Sequence, residues 1–172
     1  MTMETFEAVR TILAVRSYQD RPISDAVLHG VVEAGQLTAS ARNRQPWHFI
    51  VVQDRETLKR LGEMATTGAY IAGAAAAIVV AIAETRNSVS DASRAIQSML
   101  LTAWSHGVGG NWVGTGPNGI DGLNDYLAIP AEMRVLAILP LGYPDHDIGH
   151  GKKDRKPLSE IASLDRYGQA FE

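Results

Sequence analysis

Three polar stretches of this chain carry side chains able to do chemistry. In SARNRQPWHFIVV, Ser40, Asn43 and Gln45 sit just before the apolar run Phe49 to Val52, where hydroxyl and carboxamide groups can serve either a polar ligand or the backbone groups at a strand entrance. In VRSYQDRPIS, Arg16, Ser17 and Arg21 form a basic and polar loop. The run KKDRK, Lys152 to Lys156, is the densest positive stretch. By default such a run is a solvated charge patch, yet together with Arg16 it could grip a phosphate through charge-assisted hydrogen bonds.

Other chemistries are weaker or excluded. GVGGNWVGTG invites a dinucleotide-loop reading, but that fingerprint follows a strand and opens a helix, whereas this string follows a helix and has Trp112 at the third glycine position. Its glycines end a helix and allow tight turns, and they could also expose backbone N–H groups to a ligand. His146 and His150 lie four apart beside Asp145 and Asp147, but Gly149 and Gly151 argue against the rigid helix a metal site with that spacing would need, so no metal is expected. Gly-x-Ser-x-Gly is absent. With no cysteine in the chain there is no disulfide, thiolate ligand or cysteine nucleophile, and redox chemistry would need a borrowed cofactor.

Several elements must position these groups. Phe6, Val9, Ile12 and Leu13 repeat at helical spacing, and Ser24 caps a second helix with Val27, Leu28, Val31 and Val32 on one stripe. Pro22 keeps the first helix from continuing and leaves Arg16 and Ser17 on a loop. Pro46 favours an extended Gln45, and Ile50 to Val52 reads as a buried strand stopped by Asp54, which caps a helix through Met64. Ile78 to Ile82 reads as a second buried strand, while Ala74 to Ala77 fits helix or strand. From Asp91, the apolar positions Ala92, Ala95, Ile96, Met99, Leu100 and Ala103 describe a long core helix ended by Gly107. A short strand and glycine-rich turn in WVGTGPNG, a short helix within Ile120 to Leu127, and a strand from Val135 to Leu141 complete the set.

At 172 residues the chain fits one domain, and 45% apolar with 20% charged residues describes an ordinary globular protein. A net charge of −3 gives no bulk attraction for nucleic acid or an acidic membrane. Glu4 and Glu7 are wrong for a secretion signal, and the longest apolar run, Ala69 to Ala83, is shorter than the ~20 residues of a membrane span; a cytoplasmic protein is expected. Residues 143–172 follow neither period, yet Leu158, Ile161, Leu164, Tyr167 and Phe171 are too apolar for a free disordered end, so this tail should lie on its own domain or on a partner subunit.

Arg16-Ser17 after a first helix, followed by SARNRQPWHFIVV after a second, resembles the nitroreductase family of FMN-dependent oxidoreductases, with its Arg-Arg-Ser loop and Ser-x-x-Asn-x-Gln-Pro-Trp-x-Phe segment. The likeness continues through DASRAIQSMLLTAWSHGVG, the GNWVG turn, LPLGYP and KKDRKPLSEI, and so covers nearly the whole chain. The resemblance implies an α+β fold: a central, mostly antiparallel sheet flanked by helices, in an intertwined homodimer with FMN at the subunit interface. It makes residues 1–172 one domain whose tail, 143–172, packs on the partner. Arg16 and Ser17 would hold the FMN phosphate and ribityl side, joined by Lys153 and Arg155. Ser40 and Asn43 would face the partner's flavin, and the backbone of Gly114 and Thr115 would lie near flavin N5, with no side chain required as acid, base or nucleophile. The implied activity is a ping-pong cycle in which NAD(P)H reduces FMN and a nitroaromatic, quinone or related small-molecule acceptor is reduced in turn. Neither nucleic acid nor membrane is an expected partner.

Departures from the family pattern keep alternatives open. Val15 and Gln19 stand where two basic residues are usual, Ala39 replaces a proline, and the Tyr70 region lacks clear counterparts of the residues that grip the flavin's pyrimidine edge. Only Glu84 to Ser90 separates the second strand from the long helix, so no helical lid is expected and the acceptor site should be open. The same fold could instead perform reductive dehalogenation or modify a flavin or other cofactor, or act as a non-catalytic flavin-binding module. Gln45 is assigned to backbone groups at the strand entrance rather than to the ligand.

Overall fold

A computed structural model describes residues 3–115, 120–146 and 153–171. Its centre is the strand β2 (Ala76–Ala83), which pairs antiparallel with β1 (Trp47–Val52) on one side and β5 (Met133–Gly142) on the other. The short strands β3 (Gly109–Gly110) and β4 (Val113–Gly114) both pair antiparallel with β5, giving a five-stranded open sheet. The α+β architecture with an antiparallel sheet is as the sequence implied.

β2 reads as an unbroken apolar run because both its faces are covered. Ala76, Ile78, Val80 and Ile82 meet α2 (Asp25–Gln36) and α4 (Ser88–Ser105), in a core with Leu28, Val31, Ile96 and Met99. Ala77, Val79 and Ala81 face α3 (Arg55–Met64), in a second core with Leu58, Leu61, Ile71 and Leu123 of α5 (Leu123–Tyr126). A register shift at Val80/Ala81 leaves Leu136 unmatched, and beyond it β5 keeps both cores supplied, with Leu139 in one and Ile138 in the other. Each fully buried Ile or Leu contributes about 1.5–3 kcal/mol relative to exposure.

Helix ends follow their signals. The Ser24 hydroxyl accepts the Val27 N–H, and the Asp54 carboxylate accepts the Thr57 N–H at 2.8 Å and its hydroxyl at 2.7 Å. Gly107, with φ +74°, turns the chain out of α4.

Three expectations need correction. In α1 (Thr5–Thr11) the buried residues are Ala8 and Thr11, whereas Phe6 is 78% and Val9 46% exposed, so the apolar stripe faces away from the chain's own core. β1 is an edge strand with only Val52 fully buried, because the described residues cover its other side chains, such as Phe49 and Ile50, only in part. Gln45 is not extended: its φ is +48°, because the loop before β1 folds back on itself. The segment Ala74 to Ala77, open between two types, enters β2 at Ala76 after a 3-10 turn at Ala69–Gly73. Among the described residues the tail holds the short helix α6 (Leu158–Ile161), a bridge from Pro144 to Tyr18 and a bridge between Ser163 and Ala170.

Candidate functional site

The segment Gly110 to Thr115 lies between two clefts. The first, about 600 Å³, is lined by Val9, Leu13, Leu100, Gly110, Asn111 and Trp112, and by Lys153 and Arg155 from the tail. The second, about 580 Å³ and more polar, is lined by Thr66, Thr67, Val113, Gly114, Thr115 and Asp121, among others. Consecutive residues of one segment thus line two clefts, one bearing cationic side chains and the other hydroxyl groups and exposed backbone.

Lys153 and Arg155 form no ion pair among the described residues. The Lys153 ammonium donates to Val9 O at 2.6 Å, and an Arg155 Nη donates to Asp154 O at 2.8 Å. Partial desolvation, and then the charge of Arg155, hold the Lys153 pKa below its ordinary 10.5. A cationic pair left repelling itself on a cleft wall is suited to an anion, which would relieve the repulsion.

Asn111 is 8% exposed, and its carboxamide N–H donates to the Tyr70 hydroxyl, fixing a polar side chain on the wall of the first cleft. Trp112 beside it is 37% exposed, which leaves part of an aromatic ring uncovered. On the next strand Gly114 is exposed, and the buried Thr115 hydroxyl donates to Val135 O at 2.7 Å, tying the segment to β5.

The Arg16–Ser17 loop is stitched to the sheet on both sides. Ala14 bridges Gly110, the Val15 N–H donates to Gly110 O at 3.0 Å, and the Gln19 N–H donates to Tyr143 O at 2.8 Å. The Arg21 guanidinium lies 3.8 Å from the centre of the Tyr143 ring. Burial holds the Tyr18 phenol pKa well above its ordinary value, and its hydroxyl donates to Val15 O at 2.7 Å. Ser17 donates to the Asp145 carboxylate, which also meets the His146 ring; the Ser17 bond is the first cause of the lowered Asp145 pKa. Val15 and Gln19, which stand where basic residues are usual in the family, are engaged within the chain. Val15 is 2% exposed and packs on Gly109, where a Cβ would come within 2.3 Å of Val15 Cγ2, and the Gln19 carboxamide donates to Pro144 O at 2.7 Å.

The loop before β1 is tightly determined. Arg42, Asn43 and Gln45 all have positive φ, at 56°, 54° and 48°. Left-handed non-glycine residues cost about 1–3 kcal/mol each and persist only where surroundings over-determine them. Here the Ser40 hydroxyl accepts the Gln45 N–H at 2.9 Å, and the Gln45 carboxamide donates to Asn43 O at 3.3 Å. The Gln45 contact is the backbone role expected for it, and the exposed Asn43 side chain has no hydrogen-bonding partner among the described residues.

Of the site residues expected from the sequence, Lys153 and Arg155 therefore share one cleft, and Gly114 and Thr115 share its neighbour. Arg16, Ser17, Ser40 and Asn43 line neither. Asp147, His150 and Lys152 lie outside the described residues. Sequence reasoning missed Asn111, although it stands inside the GNWVG turn, and it read Asp91 only as the start of a helix, whereas its carboxylate is buried and accepts the Ala41 N–H at 3.1 Å.

Known proteins share the sequence pattern and the fold of this chain. The model of the nitroreductase family matches residues 10–83 and 69–143. A protein of Archaeoglobus fulgidus named "Putative NADH dehydrogenase/NAD(P)H nitroreductase" is 39% identical over 150 residues, spanning 82% of this chain and 86% of the relative. The crystal structure of a Parabacteroides distasonis protein of the same name superposes with a TM-score of 0.85 at 29% identity, covering 92% of this chain and 96% of the other. The NADPH:FMN oxidoreductase of Vibrio harveyi, solved in complex with NAD+, superposes with a TM-score of 0.84 at 25% identity, covering 98% of this chain and 79% of the other.

Proposed function

The chain belongs to the nitroreductase family, and from that premise we propose that it is an NAD(P)H-dependent FMN oxidoreductase reducing nitroaromatics, quinones or a related acceptor by a ping-pong cycle. The observation that carries the reading is the cationic pair Lys153 and Arg155, unopposed by any described carboxylate, on a cleft floored by Gly110, Asn111 and the partly bare ring of Trp112. That donor set fits a phosphate joined to an aromatic ring system.

In this reading Lys153 and Arg155 hold the phosphate, with Arg16 and Ser17 on its ribityl side. Gly114 and Thr115 present backbone at the ring's reactive edge, where an exposed glycine lets a ligand approach the main chain closely. Asn43, whose carboxamide has no described hydrogen-bonding partner, reaches the flavin of a partner subunit. FMN bound there would supply two-electron hydride transfer between NAD(P)H and the acceptor. The residues bind and orient, and none needs to attack or protonate the substrate. Ala83 and Ser88 bound the short link from β2 to α4, which has no room for a helical lid and supports an open acceptor side.

The same proposal includes a homodimer in which residues 143–172 pack on the partner. Phe6 and Leu37 are 78% and 76% exposed, and in the tail Leu158, Ile161 and Tyr167 are 63%, 65% and 104% exposed, which is apolar surface a second copy would cover. A cytoplasmic site of action accords with the cysteine-free sequence, and none of the described helices is long and apolar enough to cross a membrane. The freshly purified protein should show flavin absorbance and oxidise NAD(P)H steadily when given a nitroaromatic. Bound flavin without turnover would replace the enzyme with a flavin-binding module, and no flavin uptake from excess FMN would remove the reading.

A further inference from the structure

Asp91 is an acidic side chain in an unusual place. It is 1% exposed, in the first turn of α4, where the helix N-terminus favours negative charge. Two further groups meet it: the Ala41 N–H at 3.1 Å, from a different part of the chain, and the half-exposed guanidinium of Arg94, one turn along the helix. A carboxylate removed from water this fully persists only when its oxygens are satisfied, and here part of that satisfaction comes from the loop before β1.

A second anchor lies two turns further along α4. The Thr38 hydroxyl donates to Ser98 Oγ at 2.9 Å, so the segment from Thr38 to Ala41 is fixed to the same helix at both ends. The seven residues from Asp91 to Ser98 rise about 10.5 Å along a helix. Three residues of fully extended chain reach about 10 Å. Between the two anchors Ser40 is extended, at φ −126° and ψ 156°. Directly after the Asp91 anchor come the left-handed residues Arg42, Asn43 and Gln45. Where Ala41 is held decides where that strained turn begins.

We infer that Asp91 is a positioning residue: its buried carboxylate pins Ala41 and so holds the Ser40–Asn43 turn in the shape that meets a flavin. This inference rests on the reading that the turn serves FMN. Its own content is that the binding geometry of an exposed loop is set by a buried charge on the core helix, a residue that lines neither cleft.

The test compares the parent, Asp91→Ala and Asp91→Asn as full-length protein, measuring amide exchange at Ala41 without flavin and FMN affinity by fluorescence titration. The asparagine oxygen can still accept the Ala41 N–H, so it serves as the conservative variant. Asp91→Ala is expected to speed Ala41 exchange and weaken FMN binding by about tenfold or more, the scale of losing one hydrogen bond to a charged acceptor, while Asp91→Asn stays within about threefold of the parent in FMN affinity. Merely structural damage would not be rescued in this way. Unchanged Ala41 exchange in Asp91→Ala overturns the inference, as does a freed Ala41 amide with FMN held as tightly as before. Should the alanine variant not fold, the near-isosteric Asp91→Leu, which has no acceptor for the Ala41 N–H, decides: it must speed Ala41 exchange relative to both the parent and Asp91→Asn, and equal rates overturn the pin. A parent that takes up no FMN overturns the flavin reading, whereas a parent that binds FMN alongside an equally competent Asp91→Ala overturns this inference alone.

Discussion

The phosphate grip rests on two side chains. Lys153→Ala and Arg155→Ala should each weaken FMN binding by roughly 1.5–3 kcal/mol, the worth of a hydrogen bond to a charged group, as read by titrating apoprotein with FMN. The same grip should depend on pH in one direction. Lys153 is charged below its pKa, which desolvation and Arg155 hold under the ordinary 10.5, so its attraction for phosphate is complete below the lowered value and fades as pH rises through it. FMN affinity measured at rising alkaline pH should fall earlier than a free lysine would dictate, and the fall should be absent in Lys153→Ala. Val15 is set by contact rather than by charge. Gly109→Ala should destabilise the fold by about 1–3 kcal/mol through overpacking against Val15, and Val15→Ala in the same chain should recover part of that loss in urea unfolding. The positive run holding Lys153 and Arg155 was legible in the sequence as the densest cluster of cations, whereas Gly114 was singled out only by the family resemblance. The burial of Asp91 was not, since an acid in the first turn of a helix usually sits in solvent and only the fold brings Ala41 to it.

Helix caps and the two-faced strand were the most legible features at the scale of elements. α3 starts where Asp54 said it would, and β2 is buried on both faces as its apolar run required. The Thr57 hydroxyl, and then its N–H, hold the Asp54 pKa below the ordinary 3.8. A depressed acid stabilises the fold above its unfolded pKa, and that contribution is lost as pH falls through the folded one. Asp54→Ala should therefore lower the melting temperature at neutral pH, with the gap to the parent closing in acid below pH ~4. Two elements were misread for related reasons. Periodicity in α1 located an apolar face but not its direction, and Phe6 points outward. The proline rule placed Gln45 in extended backbone, but the Ser40 hydroxyl closes on the Gln45 N–H and holds it in a left-handed turn that local propensity alone disfavours.

For the whole molecule, the most exposed of the large apolar side chains lie on the outward face of α1, at the end of α2 and in the tail, with Val51, Val89, Trp112 and Tyr126 less exposed elsewhere. Light scattering should give a dimer, and a chain ending before Leu158 should lose dimer stability, because five exposed apolar side chains, Leu158, Ile161, Leu164, Tyr167 and Phe171, leave with the tail. A monomer that still holds FMN would separate cofactor binding from association. The strands could be read from apolar runs and their antiparallel arrangement from the family resemblance, but which face meets a partner could not, since periodicity is the same for a core helix and an interface helix.

The place of β2 in the sheet also governs how this chain can come into being. Its β1 neighbour is made just before it, but its other flank waits for β5, whose Leu141 pairs with Ala76 late in the sequence. During translation β2 must emerge as a sticky, half-matched ribbon and stay so until nearly all of the chain has left the ribosome. A message truncated before residue 133 would yield a product with no means of shielding that ribbon, and such a fragment should be a client for chaperones or a seed for inclusion bodies rather than a smaller folded protein.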